Sequence, residues 1–369
     1  MKIIRLISRF IIGSLFIFSG FVKAVDPLGS AYKFSDYFQA FHLDFLKFAG
    51  LPLAILMCTA EFITGISVLT GLRLKWGIIG AIILMAFFTP LTFILALTNP
   101  VSDCGCFGDA VHLTNWQTFG KNIILLLFVL ALFMGRKSIE SLFKQGTEWI
   151  ILVAIAILFI SFSFYNLRYL PVIDFLPYKT GTNITNKMKR PEGAAVDQYV
   201  TTFVYEKDGQ KKDFTLKNYP ANDTTWKFVE QKSTLIKKGY VPPIHDFTIV
   251  NMQNEDITDK VLSNPDYTLL MITKKLKDAA PLNLAKGFET GRFCKNKGIG
   301  FYVLSSSGTD ELKNLNTELI FCSTDETTLK TMMRANPGYI LIKNGTIIGK
   351  WSWANLKELS ILLNKIGIK

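Results

Sequence analysis

The chain has 369 residues, 49% of them hydrophobic, with a net charge of +12, a pI near 9.3 and a positive mean hydropathy. That length accommodates two domains, and the crowding of apolar residues before Tyr165 excludes a single soluble globule. Basic residues are interleaved with acidic ones rather than gathered in a block, which argues against nucleic-acid binding and for a solvated surface near anionic lipid; five cysteines in so long a chain do not make a disulfide framework.

In chain order, the basic opening Met1-Lys2-Ile3-Ile4-Arg5 leads into an apolar run from Phe10 to Val22. Val22 and Ala24 suit a signal cleavage site, but residues 3–22 are long enough to span with tilt and more spans follow, so a retained signal anchor is expected. Between Asp26 and Gly50, the residues Phe38, Phe41, Phe45 and Phe48 recur near helical spacing and predict a short amphipathic interfacial helix. Apolar runs at 51–72, 76–97, 119–134 and 149–165 bring the expected spans to five.

Lys2, Arg5, Arg9, Arg73, Lys75, Arg136, Lys137 and Lys144 fall on one side of such a bundle, and only Lys23, Lys33, Lys47 and Lys121 on the other. This excess predicts a cytoplasmic N-terminus in an inner membrane. It also predicts that the loop between spans three and four, and everything after span five, face the oxidising extracytoplasmic (periplasmic) side. Glu61 lies about midway along span two, where an ionised carboxylate costs about 2.5–3.5 kcal/mol, so it is expected to be neutral, paired or facing a cavity. It reads either as a functional acid or as a structural one tied to Ser19, Thr64 or Ser67. Lys23 reads as a snorkelling anchor and Cys58 as core packing.

The loop between spans three and four holds Asp103-Cys104-Gly105-Cys106-Phe107-Gly108-Asp109. Cysteines two apart, with Gly105 relaxing the backbone, can bring their sulfurs within bridging range in a strained, reducible ring. Beside a membrane this suits electron exchange with quinone or another dithiol; a fixed surface disulfide is the alternative. His112, Asp103 and Asp109 add imidazole and carboxylate donors, but two cysteines and one histidine leave a tetrahedral site short, so no metal is expected.

Together Arg9-Phe10-Ile11-Ile12-Gly13, Phe18-Ser19-Gly20-Phe21-Val22-Lys23, the Glu61 to Gly65 and Gly71 pattern, and the cysteine turn resemble the DoxX superfamily, particularly its methylamine-utilisation MauE branch. The resemblance covers residues 1–135. It implies a four-helix membrane domain associated with extracytoplasmic redox work, MauE-like members being linked to maturation or disulfide formation of a periplasmic enzyme. It gives Cys104 and Cys106 a redox role and makes Glu61 and Lys23 the polar positions of the membrane domain. The cytoplasmic loop and fifth span at 136–167, and the domain appended to them, depart from it.

Residues 168–240 read as a β-rich connector: 198–216 alternates around Lys207-Asp208-Gly209-Gln210, a hairpin signature, and 226–235 adds a strand. Across 241–369 the pattern predicts strands at 243–249, 267–272, 300–304, 319–322, 339–343 and 346–351, with helices at 281–297 and 326–334 and a closing helix. This order resembles the thioredoxin fold of TlpA-like and peroxiredoxin-like proteins, with Pro337 at the usual cis-proline position. Where that fold carries Cys-x-x-Cys, this chain has Lys277-Asp278-Ala279-Ala280-Pro281, which removes dithiol chemistry there. Cys294 and Cys322 read as buried apolar residues, or as a structural bridge if they meet.

The expected fold class is therefore a multi-pass α-helical membrane domain, a four-helix DoxX/MauE-like bundle plus a fifth span, followed by an extracytoplasmic α/β thioredoxin-like domain. The expected function is membrane redox work in the cell envelope, with Cys104 and Cys106 assisting disulfide formation or maturation of an extracytoplasmic protein client and quinone as a possible cofactor. The rival is a non-enzymatic scaffold that binds an extended peptide near Pro337; a small-solute or quinol site at Glu61 is a third reading. Expected partners are the lipid bilayer and a protein client or redox partner, not nucleic acid.

Overall fold

The computed structural model describes residues 2–101, 103–135, 146–220, 223–237, 239–308, 311–312 and 318–366. Arg136, Lys137 and Lys144, on which part of the charge count rests, lie outside the described residues. The chain opens with α1 (Lys2–Val25), α2 (Pro27–Ala40), α3 (Gly50–Thr70), α4 (Leu74–Thr98), α5 (Asn115–Gly135) and α6 (Glu148–Arg168). All but α2 are long and apolar enough to cross a membrane, five spans as expected. Helices satisfy their backbone groups internally, which the hydrocarbon core demands.

Glycine brings α1 and α3 into backbone contact: a Cβ on Gly13 would lie 2.6 Å from Leu69 Cβ, and one on Gly65 2.7 Å from the Gly13 carbonyl oxygen. Ile12, Phe16, Val68, Ile78, Met85 and Val129 fill the bundle core. The phenylalanine stripe expected on one interfacial helix is divided. α2 stops at Ala40, His42 takes φ +58°, and a 3-10 turn follows at Asp44–Ala49. Phe38 is thus buried on α2, whereas Phe45 and Phe48 are 71% and 82% exposed on a separate element.

The soluble half contains α7 (Ile184–Met188), β1 (Gln198–Lys207), β2 (Gln210–Thr215), β3 (Lys227–Lys237), β4 (Val250–Asn251), α8 (Thr258–Leu262), β5 (Tyr267–Thr273), α9 (Pro281–Asn296), β6 (Gly300–Ser305), β7 (Ile320–Ser323), α10 (Glu326–Met332), β8 (Gly338–Lys343), β9 (Thr346–Ser352) and α11 (Leu356–Ile366). β1 to β3 form a sheet in the order β2-β1-β3, its hairpin turning at Asp208 and Gly209. The other strands form a six-stranded sheet in the order β4-β7-β6-β5-β8-β9. β5, β6 and β7 run parallel, and β8 and β9 return antiparallel.

Strand periodicity divides β5 between two cores: Leu269 and Met271 pack with Cys294, Leu359 and Leu363, while Leu270 and Ile272 pack with Ile184, Val261, Cys322 and Leu329. Helices therefore cover both faces of a mixed sheet, and the Asn336–Pro337 bond is cis. The strand expected at 243–249 is absent. Pro242 and Pro243 have no N–H to donate and Asp246 takes φ +57°, yet Ile244, Phe247 and Ile249 are buried all the same, so the apolar pattern there records burial rather than pairing. Residues expected in the connector also join this core: Gly181 N donates to Ile347 O at 2.8 Å and Ile184 N to Gly345 O at 2.8 Å. The whole is a multi-pass helical membrane domain followed by a thioredoxin-like α/β domain.

Candidate active site

The turn between α4 and α5 is held from every side. Gly105 takes φ +61°, and a Cβ there would meet Lys33 Cγ at 2.9 Å, so both conformation and space require glycine. Gly108 N closes the turn on Gly105 O at 3.0 Å, and Gly105 N donates to Asp103 Oδ1 at 2.8 Å. From α2, Lys33 Nζ reaches Asp103 Oδ2 at 3.0 Å and the Tyr37 hydroxyl donates to the Cys104 carbonyl. From α1, Ser19 Oγ donates to the Cys106 carbonyl at 2.8 Å; from α5, Lys121 Nζ sits 4.5 Å from the Phe107 ring centre.

Within this frame the Cys104 and Cys106 sulfurs are 2.7 Å apart, both residues half-buried. The contact splits their acidities. Hydrogen bonding from Cys106, helped by Thr118 and Lys121, outweighs burial and lowers Cys104 to about 6. The same contact, together with burial, pushes Cys106 well above an ordinary thiol. One member of the pair is a thiolate at neutral pH and the other holds its proton.

Lys23 is not the snorkelling anchor its position near the end of span one suggests. It is buried, its Nζ 2.6 and 2.8 Å from the Glu61 carboxylate oxygens and 3.1 Å from Ser19 Oγ. Ser19 Oγ lies 2.8 Å from Glu61 Oε2 as well, linking the ion pair to the Cys106 carbonyl. Of the partners considered for Glu61, Ser19 is the one it uses. Pairing explains how both charges remain inside the bundle.

Asp109, at the end of the turn, is bound by the soluble domain. Arg334, between α10 and Pro337, places Nη2 2.7 Å from Asp109 Oδ2 and 2.7 Å from Asp26 Oδ2. Lys274 Nζ donates to Arg334 O at 2.7 Å, and Lys274 Nζ, Lys330 Nζ and the Arg334 guanidinium lie 5.7, 5.1 and 5.5 Å from the Tyr32 ring of α2. Lys350 pairs with Asp174 at 2.6 Å and Ser352 Oγ donates to Arg168 O at 2.6 Å. Pro337 is buried. Arg334, Asp26 and Tyr37 escaped the sequence reading; the one signal for Arg334 is a charge between Met333 and Ala335, shortly before Pro337.

Cys294 and Cys322 belong to the cores on opposite sides of the sheet and are each pushed up to about 12 by burial. Cys58 is buried in α3, its thiol on the Ile55 carbonyl. His112 is exposed, with Nδ1 3.7 Å from Asp103 Oδ2, and among the described residues no group of three or more His, Cys, Asp or Glu could hold a metal. A cavity of about 340 Å³ opens beside the turn, lined by Phe34, Phe38, Phe87 and Phe88 and headed by Cys104 and Cys106.

Fold and site define a multi-pass membrane protein with a close cysteine pair and a thioredoxin-like domain docked beside it. Residues 1–135 match the family described as Methylamine utilisation protein MauE, and residues 199–238, a range that takes in β2, β3 and nearly all of β1, match a domain of unknown function, DUF8463. The chain is thus MauE-like across its first four spans. No curated protein matches it. Among solved structures, one described as a candidate protein disulfide isomerase from Bacteroides thetaiotaomicron is similar at 14% identity and a TM-score of 0.28, covering 33% of this chain and 83% of its own.

Proposed function

We propose that this chain is a membrane thiol–disulfide oxidoreductase that oxidises an extracytoplasmic protein client through Cys104 and Cys106. The observation that carries the proposal is the pair itself: sulfurs 2.7 Å apart, with Cys104 brought down to about 6. In the oxidised form, a client thiolate attacks Cys106 Sγ, the Cys104–Cys106 bond breaks, and Cys104 leaves as the more stable thiolate. The client's second thiolate then displaces Cys106. The client gains a disulfide and its two electrons end on the cysteine pair; of its two protons one is held by Cys106 and the other is released to solvent, since Cys104 stays a thiolate. The MauE likeness of residues 1–135 supports a membrane redox role.

The periplasmic orientation in an inner membrane rests on the charge count. It is supported by Arg9, whose guanidinium donates to Val68 O at 3.1 Å and Leu69 O at 3.0 Å, gathering it with Arg73 at the end of the bundle away from the cysteines. The test is exchange between the oxidised full chain in detergent and a reduced dithiol peptide. One peptide disulfide should form per protein disulfide consumed, and Cys104→Ser and Cys106→Ser should each abolish it. Exchange that survives either substitution contradicts the reading.

The scaffold reading draws on a separate observation, the absence of an accessible dithiol from the thioredoxin-like domain, whose two cysteines are buried on opposite sides of its sheet. It requires client maturation in cells to survive Cys104→Ser while failing on disruption of Arg334.

A further inference from the structure

We propose that the aromatic cavity beside the cysteine turn binds a lipid-soluble quinone, which reoxidises the Cys104/Cys106 dithiol. This rests on the thiol–disulfide reading above and names its electron acceptor. At about 340 Å³ the cavity falls within the range of small-molecule sites. Its walls include phenylalanine side chains from α2 and α4, and among its polar groups the two sulfurs, Lys33 and Tyr37 belong to the turn or bond to it, while Lys23, Ser30 and Thr92 also line it. Phe87, in the wall, is 52% exposed on the face of a membrane-spanning helix, so the cavity reaches the surface that meets the acyl chains.

A flat apolar ring with polar oxygens fits this division; a charged, water-soluble disulfide would leave its charges against phenylalanine. Electrons balance without a further reactant. The Cys106 S–H bond breaks, one S–S bond forms with the Cys104 thiolate, and two electrons pass to the quinone, whose two carbonyl oxygens become hydroxyls with one proton from Cys106 and one from solvent. Lys23, in the cavity wall and paired with Glu61, places an ammonium group at the polar end.

The test uses the full chain in detergent, reduced, freed of reductant and given decylubiquinone without oxygen. The expected result is one quinone reduced per pair of thiols lost. Leu91→Trp, or Ala54→Phe if that variant fails to fold, narrows the cavity and should raise the KM for decylubiquinone about tenfold with little change in kcat. A wild-type chain that exchanges disulfides with the dithiol peptide but is not oxidised by decylubiquinone overturns the quinone inference and leaves the exchange reading standing. A chain that does neither overturns both. Unchanged KM in a folded cavity variant overturns the location, and a cavity that takes only phospholipid tails, with no quinone-dependent thiol loss, overturns the ligand.

Discussion

Arg334 Nη2 lies 2.7 Å from Asp109 Oδ2, joining the loop before Pro337 to the turn that carries Cys104 and Cys106 across 225 residues of chain. Because the same guanidinium holds Asp26, one soluble-domain side chain bridges two carboxylates at the rim of the membrane domain. The soluble domain thereby touches the cysteine turn through Arg334, while its own cysteines, Cys294 and Cys322, lie buried in its cores.

Arg334→Met strands Asp26 and Asp109 in a buried interface, which should cost roughly 3–5 kcal/mol. Thermal denaturation in detergent is expected to show the loss, and limited proteolysis a freed soluble domain. Adding Asp26→Asn and Asp109→Asn should restore much of the stability. A single Arg334 variant that melts like the parent removes the ion pairs from any docking role.

Inside the bundle, Glu61→Gln leaves the Lys23 ammonium without its countercharge. The single variant should lose roughly 3–5 kcal/mol, more than the double variant Glu61→Gln with Lys23→Met, in which no charge remains. Equal losses in the two would show that the pair is uncoupled.

Cys104 has a pKa near 6, so its alkylation by iodoacetamide in the reduced protein should be flat above neutrality and fall as pH drops through about 6. Cys106→Ser removes the largest cause of the low value and should move the midpoint up towards that of an ordinary thiol, about 8.5. A wild-type midpoint already near that value contradicts the split acidity of the pair.

Burial brings Lys274 from 10.5 down to about 7. Between those values the unfolded chain holds a proton that the folded chain does not, so this residue makes stability rise with pH through that window. Lys274→Met should flatten the rise and help most at and below neutral pH. Melting temperatures across the window, compared between parent and variant, check the sign.

The five spans and the Asp208-Gly209 hairpin were legible because runs of apolar residues and left-handed turn residues are local signals: Asp208 and Gly209 both take positive φ. α7 and α8, of five residues each, are too short to declare a period. At 243–249, the apolar residues Ile244, Phe247 and Ile249 read as a strand because burial alone can place apolar residues close together. The cysteine turn was visible, its surroundings were not: Glu61 is 38 residues from Lys23, and Arg334 is 308 from Asp26. Spacing along the chain says nothing about which opposite charges meet, and a lysine near a helix end reads as an anchor until its partner is seen.

Trapping the thiols of the full chain in native membranes with a mass-tagged maleimide tests the redox cycle directly. Cys104 and Cys106 are expected to be blocked together as a disulfide at rest, to become labelled together when electron acceptors are depleted, and to show no such change in Cys104→Ser or Cys106→Ser. A pair that keeps one labelling state through every condition is a fixed feature of the loop, and the redox cycle fails.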